Sequence, residues 1–129
     1  MDRPETLIRW HQVVAAKEPA LLDAMLADDA VFRSPAVHTP QEGKELTTAY
    51  LRAALVVLGP TLTYHHEWYD ESSAVLEFTA QLDGLTVHGI DMIRWEDSGR
   101  ITEFTVMVRP FKGLQKLMEL MINEMVPKA

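Results

Sequence analysis

Cysteine is absent from this chain, which excludes disulfides, thiolate zinc sites and thiol nucleophiles. Basic residues are few: 12 Lys and Arg stand against 19 Asp and Glu, for a net charge of −7. That balance argues against nucleic acid as a partner, because phosphate backbones call for clustered Lys and Arg. It disfavours an anionic membrane surface for the same reason. Long apolar runs are also missing. The longest is Ala53–Leu58, far short of the ~18 residues a membrane-spanning helix needs. The opening MDRPETLIRW lacks a basic stretch followed by an apolar one, so no secretory leader is expected. The resulting expectation is a soluble cytoplasmic protein. No linker, repeat or low-complexity tract interrupts it.

Enough apolar material is present to build a core. With 47% hydrophobic residues over 129 positions, a single domain spanning 1–129 is the natural reading. Pro4 and Glu5 suit a helix start. Leu7, Trp10, Val13 and Val14 then follow at helical spacing. Pro19 breaks that helix and opens another, with Leu21, Leu22, Met25 and Leu26 as its apolar face and Asp28-Asp29 at its end. Val31 to Arg33 is a short extended piece. Residues 34–43 read as a loop. Residues 42–58 read as a helix burying Leu46, Tyr50, Leu51, Ala54, Leu55 and Leu58, stopped by Gly59-Pro60.

The period then changes to two. Four strands are expected over 61–69, 74–82, 86–96 and 100–109, joined by short polar turns that favour antiparallel hairpins. A final helix over 111–125 carries Leu114, Leu117, Met118, Met121, Ile122 and Met125. Helices followed by clustered strands argue an α+β fold with helices packed on one face of a single sheet.

One carboxylate stands out. Asp91 sits inside an apolar strand, VHGIDMIRW, and an acid there must be exposed, paired or functional. If Asp91 faces inward, strand alternation puts Val87, Gly89, Ile93 and Trp95 beside it. Phe104, Val106 and Val108 then form the facing surface of the next strand, and Phe78, Ala80 and Leu82 that of the strand before. The expected interior is apolar with one acid, the usual character of a small-molecule site. Bland alternatives stand beside each reading. Asp91 could be a structural acid paired with a Tyr, Trp or Arg, and Trp10 and Tyr50 could be simple core.

The pieces LADDAVFRSP, EGKELTTAYLRAAL and GIDMIRWEDSGRITEF, in that order, resemble the SnoaL-like branch of the nuclear transport factor 2-like superfamily. The resemblance spans residues 7–109. It implies a cone in which a strongly bent antiparallel sheet wraps the N-terminal helices, here with an additional C-terminal helix. The ketosteroid isomerases share that architecture and allow a residue-by-residue comparison. Asp91 falls where that family has a protonated aspartic acid that donates into an oxyanion hole. Trp10 falls at the oxyanion tyrosine, Ser34 at the catalytic base and Tyr50 at an aromatic wall. With the base replaced by serine, the resemblance implies the pocket and argues against the isomerase reaction itself. Gly89 stands where the limonene epoxide hydrolases carry an arginine, so that mechanism is unsupported too.

Asp91 and His38 are therefore the catalytic candidates, Asp91 as acid or hydrogen-bond donor and His38, in the loop after Ser34, as base. The pocket set is Trp10, Val14, Phe32, Ser34, Tyr50, Phe78, Ala80, Ile93, Phe104, Val106 and Val108. No cofactor is expected. No metal is expected either: there is no HExxH, and His65 and His66, adjacent on a strand, should point to opposite faces. The expected ligand is an apolar, cyclic small molecule.

One reading is an isomerase, hydrolase or lyase acting on such a substrate. Another is a ligand-binding domain with no chemistry. A third is a dimerisation module whose cavity is filled by its own aromatics. Leu62, Tyr64 and Trp68 alternate on one strand, and Ile90 and Met92 lie on another. On a common outer face they would form an apolar patch large enough to predict a homodimer.

Overall fold

In a computed structural model, which describes residues 1–126, the chain forms one six-stranded curved sheet with helices against it. The order is α1 (Glu5–Ala16), α2 (Leu22–Met25), β1 (Leu26–Arg33), β2 (Gln41–Glu42), α3 (Lys44–Leu58), β3 (Thr63–Tyr69), β4 (Ser73–Leu82), β5 (Leu85–Trp95), β6 (Ile101–Arg109) and α4 (Phe111–Met125). The strands lie β2-β1-β6-β5-β4-β3, so the first long strand joins beside the last. The expected α+β cone is what forms, with an open sheet.

The antiparallel ladder β3–β4–β5–β6 follows from the alternation read in the sequence. On β4 and β5 every second residue is buried, from Ala74 to Leu82 and from Val87 to Trp95. The inner face carries Leu76, Phe78, Ala80, Val87, Ile93 and Phe104, which join Leu7, Trp10, Val13 and Leu51 in a single core.

Three local expectations are corrected. The second helix does not extend to Asp28-Asp29: α2 ends at Met25, and β1 already begins at Leu26. Parallel pairing with β6 decides this, because Leu26 sits opposite Ile101 and Phe32 opposite Phe104, which buries Leu26, Ala30 and Phe32. The register shift between them leaves Asp28 and Asp29 exposed. Next, α3 starts at Lys44, since Gln41 and Glu42 pair with β1 as a short edge strand. Leu46 is 39% exposed where burial was expected, while Thr47 is buried and donates its hydroxyl to the Ala30 carbonyl at 3.0 Å.

The third correction is on β3. A bulge falls between Tyr64 and His66, where the register with β4 slips by one. A slip of one residue reverses the side-chain parity of everything beyond it. Tyr64 therefore faces the core and Trp68 faces out, 59% exposed. Leu62 also packs inward. His65 and His66 end on the same face, bonded to Thr79 and Glu77, and not on opposite ones.

Helix α4 packs on α3 and against β4, β5 and β6, with Leu117 and Met121 in the core. Gly113 permits that approach. A Cβ there would lie 2.5 Å from Val87 Cγ1, nearer than packed atoms tolerate.

Candidate functional site

Asp91 lies on the inner face of β5, 6% exposed, as its alternation required. Its neighbour across β4 is Leu76 and across β6 is Val106, so both flanking strands present hydrocarbon to it. The single hydrogen bond to its carboxyl among the described residues comes from Tyr64, whose hydroxyl donates to Oδ2 at 2.5 Å. Trp10 on α1 donates its indole N–H to the Tyr64 oxygen at 3.0 Å. An ordered chain results: Trp10 to Tyr64 to Asp91.

The electrostatics follow from burial. Removal from water disfavours the carboxylate and pushes the Asp91 pKa up to about 7, while the Tyr64 hydrogen bond pulls the other way. The Tyr64 phenol is driven well above its ordinary value, first by burial and then by the charge of Asp91. The tyrosine therefore stays a neutral donor, and the carboxyl changes its protonation near neutral pH.

A narrow slot leads to this pair. Tyr64, Asp91, Phe104 and Val106 form its sheet side, and Trp10 of α1 with Leu51, Ala54, Leu55 and Leu58 of α3 its helical side, with Leu62 at the edge. Its free volume is about 20 Å³, close to one water molecule. The aromatic filling explains this. Trp10 packs on Phe104 with ring centroids 4.8 Å apart, and Tyr64 meets Phe78 edge-on at 6.3 Å.

Of the residues expected from sequence, Asp91, Trp10, Phe104 and Val106 meet at this slot. Phe32 and Tyr50 stack on each other at 5.2 Å, and Phe78, Ala80 and Ile93 are buried core. Val14 and Val108 are partly buried against that core. Ser34 turns its hydroxyl back to the Ala36 N–H at 3.2 Å and lines no part of the slot. His38 is exposed in the 34–40 loop and is not among the residues that line the slot. Tyr64 was missed as a site residue. Alternation grouped it with Leu62 and Trp68 on one face, read as an outer patch, and the bulge that separates Tyr64 from Trp68 carries no glycine or proline as a signal. The α3 wall was legible as core but not as the slot's second side.

The outer face of the same sheet is polar at both ends. Glu77 receives His66 at 2.9 Å and His88 at 2.8 Å, and these bonds hold its carboxyl below the usual range. Arg33 and Arg94 share Glu103 at 3.0 and 3.5 Å. Between them lie Val75, Ile90, Met92 and Met107. Among the described residues no group of three or more His, Asp or Glu side chains is arranged to hold a metal ion. No helix among them is long and apolar enough to cross a membrane.

The comparisons agree with the architecture. The chain is 42% identical to a steroid delta-isomerase from Pseudomonas aeruginosa, over 92% of this chain and 88% of that one, with a TM-score of 0.87. A protein with a cystatin-like fold from Silicibacter pomeroyi is 28% identical over 93% and 84%, with a TM-score of 0.85. A protein of the NTF2-like type from Mesorhizobium loti is 21% identical over 82% and 89%, with a TM-score of 0.72, and shares the fold. No curated protein matches the chain. The model of the SnoaL-like domain matches residues 7–104, and the chain belongs to that family.

Proposed function

We propose that this protein catalyses a proton transfer of the isomerase type on an apolar small molecule, with Asp91 as the acid–base group. The observation that carries the reading is a buried carboxyl at the end of an apolar slot with its pKa near 7. Efficient acid–base catalysis wants a group that both takes and gives a proton at working pH. Asp91 would take a proton from one carbon of the substrate and return it to another. Protons and electrons balance within that step, so no redox partner is required. The 42% identity to a steroid delta-isomerase supports a double-bond shift in a cyclic ketone as the first reaction to try.

The test is turnover of an unconjugated cyclic enone in deuterated water, followed by NMR. Wild type should shift the double bond and incorporate deuterium. Asp91→Asn should lose at least ~100-fold in rate, the scale of general acid–base catalysis. Equal rates in the two proteins would sink the assignment of Asp91.

A second reading is a non-catalytic domain, favoured by one observation: the free volume beside Asp91 is about 20 Å³, so an organic ligand enters only if lining side chains move. Titration of apolar ketones followed by the indole N–H NMR signal of Trp10 separates the two, because a filled core leaves that signal unmoved. We also propose that a second copy covers the outer face. Val75, Ile90, Met92, Met107 and Trp68 form an apolar centre with Met and aromatic character, rimmed by charged residues, which is the anatomy of a protein interface. Trp68→Lys should convert a dimer to a monomer in analytical ultracentrifugation, and an unchanged mass would refute this face.

A further inference from the structure

An indole N–H donates and cannot accept. Because Trp10 donates to the Tyr64 oxygen, the chain between α1 and β5 has a direction. Tyr64 owns one proton, and Asp91 Oδ2 is its only acceptor among the described residues. Suppose instead that a protonated Asp91 donated from Oδ2 to Tyr64. The Tyr64 oxygen would then receive two donors while its own buried proton found no acceptor, a costly arrangement. With the proton on Oδ1, Trp10 and Tyr64 both keep their acceptors and Oδ2 accepts from Tyr64 whether Asp91 is charged or neutral, while the added proton sits on an oxygen that is not sealed from solvent and borders a slot with room for about one water.

We propose that Trp10 sets the polarity of this chain, so that the proton Asp91 gains and loses is carried on Oδ1, the oxygen with no partner among the described residues, and Tyr64 and Trp10 act as positioning residues. Oδ1 is then the atom a substrate in the slot would meet. The expected role is thereby sharpened: toward the protein Asp91 is an acceptor in both protonation states, and it exchanges its proton outward. The proposal rests on the acid–base reading only for its use in turnover; the location of the proton is a property of the free protein.

The test reads that location without any substrate. Infrared difference spectra between pH 5 and pH 9, with Asp91→Asn as the blank, isolate the C=O stretch of the protonated Asp91 carboxyl. If the proton is on Oδ1, the C=O oxygen is Oδ2, bonded to Tyr64, and its band lies low. Tyr64→Phe should then shift the band to higher frequency. Replacing Trp10 by benzothienylalanine, which keeps the ring shape and loses the N–H, should shift it the same way by less, because Tyr64 becomes a weaker and less directed donor. The carboxyl midpoint should rise in the same order.

A band that stays put in Tyr64→Phe would place the proton on Oδ2 and overturn the assignment. A band and midpoint unmoved by the Trp10 replacement, with Tyr64→Phe shifting both, would reduce Trp10 to packing. Should Tyr64→Phe fail to fold, 3-fluorotyrosine at position 64 offers a gentler change. Its more acidic phenol should move the band lower, and no movement would count against the proposal. Turnover decides the acid–base reading separately: a shifted band in a protein that moves no double bond would keep the proton assignment and reject the function.

Discussion

Two carboxylates one register step apart behave in opposite ways. Asp91 pairs with Leu76, and Glu77 pairs with Ile90 on the same two strands. Asp91 faces in, with hydrocarbon from both neighbouring strands and one tyrosine, and its pKa rises to about 7. Glu77 faces out between His66 and His88, and its pKa falls. The backbone environment is shared, so the face decides the chemistry. Desolvation governs one acid and hydrogen-bonding partners the other. An acid that changes charge near pH 7 can exchange protons in use, while one that stays ionised can only organise a surface.

The largest effect expected from breaking this contrast is at Asp91. Its folded pKa lies above the unfolded value near 3.8. Between the two, the folded chain holds a proton that the unfolded chain has released. Stability should therefore fall as pH rises from about 4 to about 7, by on the order of 4 kcal/mol. Asp91→Asn removes the charge, so its unfolding free energy should lose this slope and exceed wild type at pH 8. Denaturant midpoints across pH measure both, and parallel curves for the two proteins would show that Asp91 is not desolvated.

Gly89 is expected next. It sits beside Asp91 on the inner face, where a Cβ would fall 2.3 Å from the Met107 carbonyl oxygen and 2.7 Å from Phe78 Cζ. Gly89→Ala must push two strands apart, at a cost of about 3 kcal/mol. An unchanged denaturant midpoint would mean that β5 and β6 are free to separate. The outer acid should give the smallest effect. Glu77→Gln should lower the melting temperature slightly, with the loss shrinking at high salt because exposed pairs are screened. Since the Glu77 pKa is depressed, its contribution is present above the unfolded value and lost as pH falls through the folded one. A loss that is large and insensitive to salt would show that the outer cluster is sealed from water, as a dimer interface would seal it.

Most of the sheet was legible because alternation is local. The pattern Val87, Gly89, Asp91, Ile93, Trp95 put Asp91 on one face with apolar neighbours before any tertiary contact was known. The partner of that acid was not legible. Tyr64 lies on a strand whose parity is reset by a bulge, and the residues there, Tyr64-His65-His66, read as an ordinary strand. The short α2 was misread for a related reason. Leu22, Met25 and Leu26 suit a helix locally, but Leu26 is taken by the parallel pairing with Ile101. His38 was favoured by its position after Ser34, yet the loop turns it to solvent.

The sequence by itself determined the α+β class, the strand faces of β4, β5 and β6, the inward acid and the SnoaL-like family. Each rests on periodicity or on a contiguous motif, which a chain carries without folding. Only the tertiary structure decided what meets Asp91 and how much room is left beside it. Tyr64, Trp10 and the α3 wall come from three elements far apart in sequence. Their hydrogen-bond direction depends on ångström distances that sheet curvature and one bulge set together.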